Sequence, residues 1–190
     1  LGYVYKRQTK DKCQFRIINS FIKLPEKVFL ESLLIIIGDG PDRKLCEEFV
    51  LENKLSDHIK FLGYIPNNQL GIYYALADLF VLASEAPGFS RMYWESFAQG
   101  TPAIACVKQP GIDDIFSLES MVLANDFDTQ SITNSILEGL SRKWDKSIIS
   151  SRNDKFSWES RCSEYRKILY DISKEPTVKK NMVIDDMIQR

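Results

Sequence analysis

The sequence predicts an α/β fold: a doubly wound, Rossmann-like parallel sheet with helices collected at its C-terminal end. Two observations carry this. Strand and helix signals alternate from about residue 13 to residue 140, the pattern that builds a parallel sheet covered by crossover helices. The clearest strand candidate, Ser-Leu-Leu-Ile-Ile-Ile at 32–37, is an unbroken apolar run, as expected of a strand covered on both faces.

The elements run in order along the chain. Residues 13–24 carry Phe15, Ile18, Phe21 and Ile22 at helical spacing. After the strand at 32–37, Gly38-Asp39-Gly40-Pro41 turns into a helix with Leu45, Phe49 and Val50 on its apolar face, and Pro41 suits the helix start. A strand at 59–62 leads through Gly63 to a helix opening near Pro66-Asn67 and carrying Leu70, Tyr73, Tyr74 and Ala77. A strand at 79–83, a Pro87-Gly88 turn, a helix over 90–99, a Gly100 stop and a strand at 102–105 come next. The turn Gln109-Pro110-Gly111, a short helix at 112–116, a strand at 121–124 and a helix at about 129–140 complete the alternation. Residues 143–174 read as helix without strands, and the polar segment 174–190 reads as a weakly ordered tail.

Composition excludes several classes. The 190 residues suffice for one domain with a real core, and the net charge of −1 lacks the basic surface that nucleic acid demands. The longest apolar run, 33–37, is far short of the roughly 20 residues of a membrane span. Cys13, Cys46, Cys106 and Cys162 are widely spaced, which favours reduced thiols and a cytoplasmic setting over disulfides or a metal site. The chain opens on Leu1, and its first residues, LGYVYKRQ, fit poorly with the α/β pattern of the remaining chain, so residues 1–9 are read as a junction or an N-terminal remnant.

The most informative stretch is 79–105, LFVLASEAPGFSRMYWESFAQGTPAIA. A strand–turn–helix unit puts backbone N–H groups and a positive helix end at the carboxyl edge of a sheet, where α/β proteins bind phosphorylated ligands. Gly88, Phe89 and Ser90 stand at the helix entrance. Their N–H groups are placed to meet a phosphorylated ligand; the plainer reading makes Gly88 a turn residue and Phe89 core. Glu95 lies among Met92, Tyr93, Trp94 and Phe97, and a carboxylate in such company needs a partner. It also has two acceptor oxygens for a vicinal diol.

The stretch resembles the donor-site signature of the group 1 (family 4) glycosyltransferases, S-x-x-E-G-F-G-x-x-x-x-E-A-x-A-x-G-x-P-V-I-A. Ser84, Gly88, Phe89, Glu95, Ala98, Gly100, Pro102, Ile104 and Ala105 match in register. Pro87 replaces the first Glu, Ser90 the second Gly and Ser96 an Ala. The resemblance implies a nucleotide-ribose contact for Glu95, whereas the sugar-contacting Glu is missing. Gly38-Asp39-Gly40-Pro41 is similar to the family's G-x-G-P, Phe61 to Tyr64 to its F-x-G element, and Tyr73 to Ser84 to its Y-x-x-A-D-x-x-x-x-P/A-S. Phe156-Ser157-Trp158, with Tyr165 and Leu169-Tyr170, is similar to its closing segment. These elements keep the family's order over roughly residues 10–170.

The resemblance implies the donor-binding half of a retaining GT-B glycosyltransferase: a nucleotide-sugar-binding domain at 10–155 and a crossover helix at 156–173. The acceptor half would lie elsewhere, and any peripheral membrane association would run through it. The activity implied is transfer of a hexose from a nucleoside-diphosphate sugar to a glycan or lipid, with no metal or other cofactor. Arg7 and Lys12 match the family's R-x-x-x-x-K, which holds the diphosphate. Gly38, Gly40 and Gly63 fall on the nucleobase side, or simply form tight turns.

Other readings stay open. Glu85, two positions before Pro87, either reaches the sugar or is an exposed loop carboxylate. Arg43 stands where a dinucleotide loop needs its third Gly, which disfavours NAD. Asp126-Phe127-Asp128 forms a D-x-D but precedes a helix, where an N-cap is the commoner role. His58 is the one His and reads as a surface residue at a strand entry. A nucleotide-sugar-binding domain without transferase activity, and a GT-B epimerase, are the rivals within the fold.

Overall fold

The computed structural model describes residues 2–4, 14–85, 91–154 and 158–174. The chain divides into two compact units, Leu1–Arg152 and Asn153–Arg190. In the first, β1 (Gly2–Val4), β2 (Leu34–Ile37) and β3 (Ile59–Gly63) form a parallel sheet in that order. β4 (Phe80–Val81), β5 (Ala103–Cys106) and β6 (Met121–Ala124) form a second, also parallel. β1 lies against β4, so the strands run outward in both directions from that seam. This is the doubly wound arrangement the sequence predicts.

Burial explains the strand patterns. All of β5 is buried, because helices cover both its faces. β3 alternates instead, with Lys60 and Leu62 exposed, because it ends its sheet. α1 (Gln14–Ile22) packs on α6 (Thr129–Ser141), which covers β5 and β6. α4 (Asn67–Leu76) packs on α5 (Arg91–Ala98), which in turn meets α7 (Lys146–Ser151). Successive strand residues face opposite sides. Leu79 accordingly meets Gly139 of α6, whereas the Phe80 ring meets Tyr74 of α4 and Tyr93 of α5, at 5.5 and 5.8 Å. The two helix pairs therefore cover opposite faces of the sheet.

Several expectations need correction. α3 (Arg43–Glu52) starts two residues after Pro41, with Asp42 as its N-cap residue. Its buried residues are Cys46 and Val50, and Leu45 is 56% exposed. Burial pushes the Cys46 thiol up to about 12. α2 (Glu26–Leu30) was not foreseen: its five residues are too few to show a helical period, and Val28 and Phe29 are only partly buried against the core. Residues 112–116 form turns rather than a helix, and Ile112 and Ile115 pin them to the core. β4 is shorter than the 79–83 run predicts, although that whole run is buried.

The second unit contains α8 (Trp158–Lys174), on which Tyr165, Leu169 and Tyr170 are exposed. Among the described residues no helix is long and apolar enough to cross a membrane.

Two features make stability predictions. Gly100 closes α5 at φ 72°, and a Cβ there would lie 2.8 Å from the carbonyl oxygen of Lys146. A left-handed backbone alone costs an L-residue about 1–2 kcal/mol. Gly100→Ala is therefore expected to cost about 2 kcal/mol or more in urea unfolding. Gly111→Ala, at the same φ of 72° but in open space, should cost less.

The second feature is the helix caps. Asp128 accepts the Ser131 hydroxyl at 2.5 Å and the Ser131 N–H at 2.9 Å. Asp145 accepts the Ser147 hydroxyl at 2.6 Å and the N–H groups of Ser147 and Ile148. These bonds hold both carboxyls below their ordinary value of 3.8, the hydroxyl contact contributing most. The folded state thus binds fewer protons than the unfolded chain. The caps' contribution is complete above the ordinary Asp value and is lost as pH falls through the lowered folded values. Thermal melting should fall in that acid range. The Asp128→Asn, Asp145→Asn double variant keeps capping acceptors without the titrating groups, so its melting temperature should fall less steeply there.

Candidate functional site

The carboxyl edge of the second sheet is built around the chain leaving β4. The ladder ends at Val81, yet Leu82, Ala83 and Ser84 stay buried. Buried backbone carbonyls need donors, and here side chains supply them. The Gln109 amide nitrogen donates to Leu82 O at 2.9 Å and to Ser84 O at 2.8 Å. Arg16, from α1, approaches Ala83 O at 3.4 Å and donates to the Glu85 carboxylate at 2.8 Å. Its guanidinium also lies over the Phe127 ring, 5.4 Å from the centroid.

Glu85 is thus more than a free loop carboxylate. It is 57% exposed and paired with Arg16. A pair this exposed contributes at most about 1 kcal/mol, so its main effect is to tie Glu85, at the end of the buried segment after β4, to α1. Gly88, Phe89 and Ser90 at the helix entrance, and Lys12 and Arg7 ahead of α1, lie outside the described residues.

Glu95 sits in the middle of α5, half-buried. Side chains on a helix tilt toward its N-terminus, here the carboxyl edge of the sheet. Its Oε2 accepts a hydrogen bond from the Tyr74 hydroxyl at 3.3 Å, the partner that its neighbourhood demands. Tyr74 is buried against Phe80, and α4 is locked to the end of α5 by two more bonds. The Thr101 hydroxyl donates to Tyr74 O at 2.5 Å, and the Ser96 hydroxyl to Thr101 O at 2.8 Å.

The loops after β2 and β3 are joined at the carboxyl edge of the first sheet. Gly38 N donates to Gly63 O at 2.7 Å, and Asp39 Oδ2 accepts Tyr64 N at 2.8 Å. Arg43 bonds both Asp39 and Glu47. These carboxylates hold its guanidinium above its ordinary value, Glu47 more than Asp39. Gly63 has φ 69°, and a Cβ there would lie 2.7 Å from Arg43 Nη1. Gly40 O accepts Arg43 N at 3.2 Å. The predicted Gly38, Gly40 and Gly63 therefore line one backbone platform.

The D-x-D residues have structural partners. Asp126 pairs with Lys108 at 2.5 Å, and Asp128 caps α6 as the N-cap reading expects. The Lys108 hydrogen bond lowers the Asp126 carboxyl and raises the ammonium in turn. His58 is half-buried rather than on the surface: its ring lies 4.6 Å from that of Phe29, and its Nδ1 is 3.2 Å from Ser32 O.

Sequence reasoning missed three residues here: Tyr74 as the Glu95 partner, and Gln109 and Arg16 as the donors to the chain after β4. Tyr74 falls in a helical apolar pattern and reads as core. Gln109 falls in a Gln-Pro-Gly turn and Arg16 in a helix, and nothing local marks either as a long-range donor.

The family model for the group 1 glycosyl transferases matches residues 3–153. An alpha-monoglucosyldiacylglycerol synthase of Acholeplasma laidlawii is 33% identical over 110 residues, 58% of this chain and 26% of that protein. The chain thus spans about a quarter of that relative's length. The pneumococcal O-GlcNAc transferase, solved with UDP and GlcNAc, superimposes with a TM-score of 0.70 at 16% identity, over 92% of this chain and 36% of that one. The C-terminal domain of a group 1 glycosyl transferase from Francisella tularensis superimposes with a TM-score of 0.62 at 23% identity, over 78% of this chain and 77% of that domain. A family match over most of the chain, on a fold shared with such a C-terminal domain, agrees with the signature spanning β4, α5 and β5: the chain belongs to the group 1 glycosyltransferases.

Proposed function

We propose that this chain is the donor-binding half of a retaining hexosyltransferase, taking a hexose from a nucleoside-diphosphate sugar and passing it to a glycan or lipid acceptor. The observation that carries the reading is Glu95. It stands in register with the family signature, on a helix that starts at the carboxyl edge of the sheet, and Tyr74 holds one of its carboxylate oxygens at 3.3 Å. An oriented carboxylate suits a ribose diol. The relatives add support: one is named as an alpha-monoglucosyldiacylglycerol synthase, and one was solved with UDP and GlcNAc.

In this reading the platform of Gly38, Gly40 and Gly63 faces the nucleobase. Gly88, Phe89 and Ser90 belong to the donor-binding turn, with the backbone N–H groups of Gly88 and Ser90 meeting the sugar or the diphosphate. Lys12 and Arg7 neutralise charge that develops as the glycosidic bond breaks, the stabilisation such transfers need most. No metal is assigned a part. The acceptor half, a cytoplasmic setting and any contact with a membrane surface through that half belong to the same proposal.

A second reading has one observation in its favour. Pro87 occupies the place of the sugar-contacting Glu, which suits a domain that binds nucleotide sugars without transferring them. Glu85 is paired with Arg16 and is not free to replace that Glu without giving up its partner.

Two outcomes test the proposal. Glu95→Gln should weaken nucleotide affinity by about 1–3 kcal/mol, the usual loss for a charge-assisted hydrogen bond, with little change in melting temperature. Titration calorimetry with UDP, GDP and ADP reads it, and unchanged affinity removes the ribose contact. Purified alone, the chain should bind donor nucleotide without sustained glycosyl transfer. Turnover by the isolated chain would overturn the assignment to a half-site.

A further inference from the structure

Gln109 is 3% exposed, yet its side chain is fully engaged. Its two N–H groups donate to Leu82 O and Ser84 O, at 2.9 and 2.8 Å. Its Oε1 accepts the Tyr93 hydroxyl at 2.6 Å. The amide orientation is forced, because two carbonyls can only accept. Leu82 and Ser84 are two apart on an extended segment, so their carbonyls point the same way. The neighbouring strand would normally supply those donors. Here Val107 N continues the ladder toward β6 at Ala124 O, and the chain then turns, Gln109 N bonding Cys106 O. One side-chain amide thus replaces the missing rungs of the ladder. Its third bond reaches α5 at Tyr93, two residues before Glu95.

We propose that Gln109 is a positioning residue that holds the end of β4 and the Glu95-bearing helix in one fixed relation, on which nucleotide binding at this edge depends. The proposal rests on the reading of Glu95 as a nucleotide contact. A Gln that merely filled the core would affect global stability alone. A positioning Gln makes a separate prediction, because its donors are what matter. Glu at this position has no donor when ionised and one when protonated, and burial beside carbonyls favours the protonated form.

The test compares Gln109→Met, which keeps the shape without the polar atoms, with Gln109→Glu, each against the unaltered chain. UDP, GDP and ADP affinities are measured at about pH 8 and about pH 5.5, with amide exchange followed in α5 and β2. Gln109→Met is expected to lose about tenfold in affinity for whichever nucleotide binds and to exchange faster in α5 but not in β2. Gln109→Glu should match it at the higher pH and recover toward the unaltered chain at the lower. This pH comparison within a single sample stands even where Gln109→Met does not fold. Wild-type affinity in both variants, or a Gln109→Glu deficit independent of pH, overturns the proposal. If the unaltered chain binds none of the three nucleotides, the reading of Glu95 fails. The exchange data then decide the coupling alone: faster exchange confined to α5 supports it, and unchanged or uniformly faster exchange refutes it.

Discussion

The site depends on satisfying the carbonyls of a buried chain that has run out of strand. β4 makes only two ladder pairs, yet the chain stays buried through Ser84. In a buried setting an unsatisfied carbonyl costs about 1–3 kcal/mol, and Gln109 and Arg16 bring donors to this segment from other elements. Gln109 arrives from the loop after β5 and Arg16 from α1. The end of the buried segment after β4 is therefore set jointly by three parts of the chain far apart in sequence.

A second constraint sets the carboxylate of that helix. The face of α5 opposite Glu95 is committed to the core through Tyr93 and Phe97, which pack against Phe80 and each other. That packing fixes the rotation of the helix and hence the direction of Glu95. Tyr74 then removes the remaining freedom by holding one oxygen. A half-buried carboxylate with one oxygen so held is already partly ordered. A freely solvated one would have to lose side-chain freedom on binding.

The carboxyl edge also carries its charge in pairs: Arg16 with Glu85, Arg43 with Asp39 and Glu47, Lys108 with Asp126. Each joins a loop to a neighbouring element or closes a single helix turn. At such exposed positions their energetic weight is small, and their consequence is geometric. They keep the loops after β2, β4 and β5 in place at the edge where a parallel sheet presents its ligands.

The sequence by itself determined the alternation of strands and helices, the parallel character of the strands, the cap at Asp128 and the place of Glu95 in the signature helix. All of these are local or periodic: unbroken apolar runs, helical spacing, an Asp before a helix, a motif within one strand–helix–strand unit. It misjudged what depends on a neighbour's position. Leu45 on α3 is exposed, residues 112–116 form turns rather than a helix with Ile112 and Ile115 in the core, and β4 pairs only at Phe80 and Val81 although the run through Ala83 is buried. The partners of the site were decided only by the tertiary structure. Gln109 lies 27 residues from Leu82, and Arg16 lies 69 from Glu85. Over such separations no periodicity survives. Only the packing of α1, β4, β5 and α5 brings these donors to the carbonyls and the carboxylate that need them.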